Sequence, residues 1–175
     1  MPSDARRGIA AQTPTRAECG LPDSGFVFCC FNNVYKILPD VFQVWMKLLK
    51  AVEGSVLCLA DSDPRAIRNL TSEAEKFSVA PDRLIFASRV AANADHLARF
   101  RQADLFLDTV PYGAHTTASD ALWMGVPVVT RRGQIHVSRI AASLLSAIGM
   151  TETIAEDEDA YVARAVALAA EPDKL

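Results

Sequence analysis

The stretch that decides the fold is LFLDTVPYGAHTTASDALWMGVPVVT, residues 105–130. It begins with an apolar run, breaks at Pro111 and Gly113, and continues with a helical pattern as far as Met124. Gly125 ends that pattern, and a second apolar run follows. The predicted order is strand, loop, helix and strand, and the length between the two strands suits the crossover connection that a parallel pair requires.

The start of this predicted helix is suited to binding an anion. The polar residues His115, Thr116 and Thr117 fall after a strand and at the amino end of the helix. Backbone N–H groups there lack partners within the helix, and the helix dipole is positive at that end. We therefore expect a diphosphate to rest on these three residues.

Outside this stretch, strands and helices continue to alternate. Continuous apolar runs, which are typical of strands covered on both faces, predict strands at residues 26–31, 55–60 and 83–87 and a short edge strand at Ile154. Helices are predicted to begin at Pro39, after Asp63 and Asn93 as caps, at Ile140 and near Ala160.

This order predicts an α/β fold, a Rossmann-like open parallel sheet flanked by helices. In such sheets ligands bind beyond the carboxyl ends of the strands, so the loops that matter are residues 32–36, 88–93, 111–117 and 130–134. No G-x-G-x-x-G motif follows the first strand, which disfavours a dinucleotide of the usual Rossmann type.

Composition limits the partners. The 175 residues are about half apolar and carry a net charge of -3, so the chain can bury one good core and has no basic field for nucleic acid. No apolar run has the length that a membrane span needs. The four cysteines show no metal-ligand or C-x-x-C spacing, which is typical of reduced thiols in a cytoplasmic protein: Cys19, Cys29, Cys30 and Cys58.

The chain divides into two predicted parts. Residues 1–24 contain three prolines, scattered arginines and no apolar period, which predicts a poorly ordered leader or linker. Residues 25–175 form the predicted α/β lobe. We also expect both tryptophans, Trp45 and Trp123, to pack in its core.

Several motifs, in order along the chain, resemble the carboxyl-terminal catalytic lobe of the O-GlcNAc transferase family, with the bacterial branch nearest. The resemblance runs from about Phe26 to the end. The matching segments are FNNVYKI at 31–37, ADLFLDT at 103–109, GAHTT at 113–117 with Asp120, Leu122, Trp123 and Gly125, and SRIAAS at 138–143.

The resemblance implies a single lobe of a GT-B glycosyltransferase that binds UDP-GlcNAc as the donor. The implied reaction is the inverting, metal-independent transfer of GlcNAc to Ser or Thr of proteins, without a cofactor. It also implies an amino-terminal lobe and preceding helical (TPR) repeats in the full-length parent, through which the protein acceptor is bound. The isolated lobe is therefore expected to be inactive.

The same resemblance implies roles for individual residues. Lys36 matches the lysine that stabilises the departing UDP, and His115, Thr116 and Thr117 match the diphosphate site. Asp120 matches a carboxylate that contacts the ribose. The other implied donor-binding residues are Asn33, where some relatives have Gln, His96, which stacks on the uracil, its neighbour Arg99, and Ala91, whose backbone reads the uracil edge.

Each of these residues also has a structural interpretation. His115 could cap its helix, His96 could be a core histidine, Lys36 could be a solvated loop residue, and Asp120 could pair with a surface cation. Asn93 departs from the family, because relatives can place a lysine there. Asp61-Ser62-Asp63 has the D-x-D spacing of metal-dependent glycosyltransferases, but it also suits a helix cap before Pro64.

Two other functions remain open at this level. A GT-B-like nucleotide-sugar epimerase or a glycan glycosyltransferase would be expected to carry a ribose-binding Glu in a Gly-rich context, in place of His-Thr-Thr and Asp120. The second alternative is a non-catalytic lobe that serves protein interaction.

Overall fold

A computed structural model describes residues 6–171 as an α/β sandwich with a six-stranded sheet at its centre. All strand pairs are parallel, in the order β3-β2-β1-β4-β5-β6. The strands are β1 (Val27–Cys30), β2 (Val56–Ala60), β3 (Leu84–Ala87), β4 (Leu105–Leu107), β5 (Val128–Arg131) and β6 (Ile154–Ala155). The predicted open parallel sheet is confirmed, including the short edge strand at Ile154.

Six α-helices connect the strands and cover the sheet. They are α1 (Pro39–Ala51), α2 (Pro64–Lys76), α3 (Asn93–Arg99), α4 (Thr116–Trp123), α5 (Ile140–Ala147) and α6 (Glu158–Ala170). Prolines begin α1 and α2, where the missing N–H costs nothing, and the Asp63 carboxylate caps α2 by accepting from the Arg65 N–H at 2.8 Å. Among residues 6–171, no helix is both long and apolar enough to cross a membrane.

The central strands are apolar because they have no solvent-facing side. All four residues of β1 and all three of β4 are fully or almost fully buried, and the register pairs Phe28 with Leu105 and Cys29 with Phe106. Burial raises the pKa of the Cys30 and Cys58 thiols well above the ordinary value, so neither supplies a reactive thiolate near neutral pH.

Two predictions about individual residues are wrong. Asn93 is not the cap of α3: Ala92 holds that position with no side-chain hydrogen bond, and Asn93 is the first helical residue. Trp123 is 43% exposed, whereas Trp45 is buried as predicted. Trp123 lies at the last position of α4, where its ring faces the guanidinium of Arg7 from the amino-terminal segment.

The amino-terminal segment, here residues 6–24, contains no helix or strand but contacts the lobe at several points. The Ala10 N–H donates to Ala94 O at 3.2 Å, and Arg101 donates to the Thr13 hydroxyl at 2.8 Å. Arg7 forms an ion pair with Asp120 in α4. The first five residues of the predicted leader, and the last four of the predicted lobe, lie outside the described residues.

Candidate functional site

The predicted diphosphate residues lie at the point where the strand order reverses. The chain builds β1, β2 and β3 outward in one direction and then returns to place β4 beside β1 on the other side. The loops that follow β1 and β4 therefore leave the sheet side by side and in diverging directions. This is the usual ligand position in open α/β sheets. The first loop carries Lys36, and the second leads to His115 and α4.

Lys36 reaches across from the first loop to the second. It ends a short 3-10 turn, Val34–Lys36, and its ammonium donates to Gly113 O at 3.0 Å. The ammonium nitrogen also lies 4.3 Å from the centroid of the Tyr112 ring, within cation–π range. Burial is the larger influence on the Lys36 ammonium and lowers its pKa, while the Asp108 carboxylate acts in the opposite direction.

His115 immediately precedes α4 but does not cap it with its side chain. Its ring stacks on that of Tyr112, with centroids 5.7 Å apart and an interplanar angle of 15°. Nε2 is buried and has no hydrogen-bond partner among residues 6–171. Burial first, and the charge of Lys36 second, lower the pKa of His115, so the imidazole is neutral near pH 7.

A chain of hydrogen bonds joins the two loops to α4. The Thr117 hydroxyl donates to Asn32 Oδ1, and Asn32 Nδ2 donates to the Thr109 hydroxyl at 2.8 Å. Thr109 in turn donates to Tyr112 O at 2.8 Å. Asn32 is 3% exposed, so its amide would be costly to leave unpaired. The hydroxyl of Thr117 thus fixes the helix start relative to β1, a role that the sequence analysis did not identify.

Asp108 is the main structural residue that the sequence analysis missed. Its carboxylate accepts from the Ala114 N–H at 2.6 Å, the Thr109 N–H at 2.8 Å and the Thr130 hydroxyl at 2.7 Å. Burial raises its pKa to about 6 in spite of these donors. Asp108 therefore shapes the loop that presents Gly113 O to Lys36, and an acidic residue directly after a buried strand was the available signal.

Three of the expected donor-binding residues lie around a second part of the site. A cleft of about 430 Å³ opens beyond the carboxyl ends of β1, β2 and β3, and Asn33, His96 and Arg99 are among its lining residues. The His96 ring makes edge contacts with Phe31 and Phe100 at centroid distances of 5.6 and 5.4 Å. Burial, followed by the charge of Arg99, lowers the pKa of His96.

Asp120 lies one turn into α4 and is buried, with 4% exposure. Its carboxylate pairs with a cation, as the structural interpretation of this residue allowed, and that cation is the partly buried Arg7 of the amino-terminal segment. The negative charge of Asp120 also acts on His96, which places the second part of the site within electrostatic range of α4.

The remaining predicted residues make fewer contacts. Thr116 and Ala91 are exposed at the edges of the site, as is the cleft residue Asn33. Asp61 and Ser62 line the cleft, and Asp63 is the confirmed helix cap. Within residues 6–171, no three His, Cys, Asp or Glu side chains are grouped as metal ligands.

The fold is that of the carboxyl-terminal lobe of a GT-B glycosyltransferase. A mutant O-GlcNAc transferase from Thermobaculum terrenum has a matching structure, with a TM-score of 0.80 and 34% identity over 86% of this chain and 30% of that one. The sequence profile of glycosyl transferase family 41 matches residues 6–175. The chain belongs to this family, as the sequence motifs indicated.

Relatives with assigned activities agree with this placement. The chain is 38% identical over 161 residues to the UDP-N-acetylglucosamine–peptide N-acetylglucosaminyltransferase of Caenorhabditis elegans, covering 92% of this chain and 14% of the relative. It is 36% identical over 163 residues to the probable enzyme SEC of Arabidopsis thaliana, covering 93% of this chain and 17% of the relative. It thus spans only about a seventh to a sixth of the length of these proteins.

Proposed function

We propose that this chain is the donor-binding lobe of a protein O-glycosyltransferase, which moves GlcNAc from UDP-GlcNAc to Ser or Thr side chains. The observation that carries the proposal is the position of the Lys36 ammonium, 3.0 Å from Gly113 O and beside the start of α4. A cation then lies close to a helix start, whose first N–H groups have no acceptor within the helix, and a diphosphate favours both features.

The proposed chemistry follows from where charge develops. Breaking the bond between the sugar and the diphosphate leaves an additional negative charge on UDP. The Lys36 ammonium and the N–H groups of Thr116 and Thr117 are fixed before the reaction, and such donors stabilise a transition state without reorganisation. We propose that these groups make a divalent metal unnecessary and that the acceptor hydroxyl attacks from the opposite face, with inversion.

We assign the nucleoside to the cleft side of the site. His96 is neutral near pH 7 because burial lowers its pKa, so its ring can stack on uracil without a charge to desolvate. Arg99 lies over the Phe31 ring at 5.6 Å, which holds it near the same cleft. The Ala91 backbone would read the uracil edge, Asn33 would approach the diphosphate beside Lys36, and Asp120 would accept from the ribose.

We propose that donor binding belongs to this lobe and transfer to the complete enzyme. A GT-B active site lies between two lobes, and the relatives are about six to seven times as long as the matched segment. The proposed acceptor is a protein, since the relatives are named as peptide N-acetylglucosaminyltransferases. On this basis the isolated lobe binds UDP weakly and transfers nothing.

Isothermal calorimetry of the 175-residue chain with UDP tests the proposal. We expect millimolar or tighter binding of UDP, weaker binding of uridine, which lacks the diphosphate, and no dependence on added EDTA. Absence of UDP binding at millimolar concentration, in the wild-type chain and in Lys36→Ala alike, would contradict the proposal and favour the protein-interaction lobe.

A further inference from the structure

The amino-terminal segment contributes a partly buried cation to the proposed ribose site. Arg7 Nη1 donates to Asp120 Oδ1, and the two side chains are only 16% and 6% exposed. The Arg7 guanidinium carbon also lies 5.5 Å from the centroid of the Trp123 ring, which is in cation–π range. Asp120 and Trp123 are three residues apart on α4, so the guanidinium spans one turn of this helix.

The pairing engages one oxygen of the carboxylate. The hydrogen bond from Arg7 goes to Asp120 Oδ1. A carboxylate held through one oxygen keeps the other in a fixed direction, which suits recognition of a hydroxyl group. Arg7 also balances the negative charge of Asp120, which would otherwise repel an anionic ligand bound one turn away at Thr116 and Thr117.

We infer that Arg7 is a positioning residue that orients Asp120 toward the ribose hydroxyls and so sets a preference for ribonucleoside over deoxyribonucleoside diphosphates. This inference rests on the proposed function, because it takes Asp120 as the ribose carboxylate. In this arrangement the ribose donates to Oδ2 while Oδ1 stays with Arg7. Ala10, three residues after Arg7, donates its N–H to Ala94 O near the start of α3, and this bond holds the amino-terminal segment against the lobe.

The structure favours positioning over obstruction. Arg7 Nε is itself buried without a partner among residues 6–171, so the guanidinium is held mainly by Asp120 and by the ring of Trp123. A ligand that displaced Arg7 would have to break a charge-assisted hydrogen bond in a poorly solvated position. A ligand that uses Oδ2 leaves the Arg7 pair with Oδ1 intact.

Calorimetry with UDP and with 2′,3′-dideoxyuridine diphosphate tests this inference on the 175-residue chain. In the wild-type chain we expect UDP to bind about tenfold or more tightly, as hydrogen bonds to a charged group typically contribute. In Arg7→Ala we expect the ratio of the two affinities, UDP over the dideoxy nucleotide, to fall several-fold toward one. The affinity for the dideoxy nucleotide itself should be nearly unchanged. Arg7→Lys should restore part of the ratio, and Arg65→Ala, on the exposed face of α2, should change neither affinity.

A double-variant cycle with Asp120→Asn separates positioning from a general effect on the fold. If Arg7 acts through Asp120, Arg7→Ala in the Asp120→Asn background should cause little further loss of the ratio. Three results would overturn the inference: equal losses for both nucleotides, an unchanged ratio, or tighter UDP binding in Arg7→Ala, which would make Arg7 an obstructing group. Absence of UDP binding by the wild-type chain would instead overturn the proposed function, and this inference with it.

Discussion

Lys36 and Gly113 are 77 positions apart in sequence and are joined by one hydrogen bond of 3.0 Å between Nζ and the carbonyl oxygen. This bond connects the loop after β1 to the loop after β4, and it directs a cation toward the start of α4. Gly113 has little room for a side chain: an added Cβ would lie 3.1 Å from Val137 O and 3.2 Å from Asp108 Oδ2. The position of the Lys36 ammonium thus depends on a tightly packed loop.

Replacing Lys36 is predicted to lower turnover far more than stability. In the full-length enzyme, Lys36→Met should reduce kcat by about 10² to 10³, because one preorganised donor to the leaving group is lost. In the 175-residue chain the same change should weaken UDP binding measured by calorimetry. Lys50→Met, an exposed lysine near the end of α1, is the matched control and should leave both quantities unchanged. Unchanged turnover in Lys36→Met would remove this residue from its proposed role.

The Thr117 hydroxyl is predicted to be structurally important. Thr117→Val keeps the shape but leaves Asn32 Oδ1 without its donor, and we expect a loss of about 1 to 2 kcal/mol in the free energy of unfolding, measured in urea. Thr117→Ser keeps the hydroxyl and should lose much less. Thr116→Val, at an exposed position, should be close to neutral for stability. A Thr117→Val chain as stable as Thr117→Ser would contradict this assignment.

His96 is predicted to act through its ring and not through a charge. His96→Ala should weaken UDP binding by roughly tenfold, in line with the usual contribution of a base stacked on an aromatic side chain. His96→Phe should retain most of the affinity, since it keeps the ring. Pyrophosphate, which has no base, should bind equally to all three proteins. Loss of pyrophosphate binding in His96→Ala would show damage to the site as a whole.

Asp108 is predicted to give the fold a distinct pH dependence. Its pKa in the folded chain is about 6, above the ordinary value of 3.8, because burial disfavours the ionised form. The stability linked to this group is therefore fully present below pH 3.8 and is lost as the pH rises through about 6, by about 3 kcal/mol in all.

Urea unfolding between pH 4.5 and 7.5 tests this dependence in wild type and in Asp108→Asn. The wild-type chain should lose stability relative to the variant as the pH rises, because the variant has no proton to release. Asp82→Asn, an exposed residue before β3, should give a curve parallel to wild type. Parallel curves for wild type and Asp108→Asn would show that Asp108 does not titrate in this range.

Much of the fold was predictable because burial on both faces leaves a clear pattern. Strands such as β1 and β4 are continuous apolar runs. The connections between consecutive strands have the length of the crossovers that join parallel strands. The strand order was not predictable from these local patterns, because it depends on which strands pair across the sheet. The missed position of Trp123 has a similar cause: its surroundings include Arg7, from a segment with no periodic pattern.

The candidate site was predictable where motifs carry the family resemblance and less so where contacts are distant in sequence. The sequence placed Lys36 and His115 in loops at one edge of the sheet, and the structure brings both against Tyr112. Asn32 and Asp108 escaped notice because their importance lies in hydrogen bonds to residues far along the chain or buried from solvent. For Asp108 the available signal was an acidic residue directly after a buried strand, whereas the residue type of Asn32 does not distinguish it from an ordinary loop residue.

The most direct test of the central claim is a heteronuclear NMR titration of the 175-residue chain with UDP. We predict that the largest amide shifts occur at Thr116, Thr117 and the residues beside Lys36, with a second set near His96, and that Lys36→Ala weakens both sets together. Shifts confined to surfaces away from the start of α4, such as the exposed face of α2, would contradict the account.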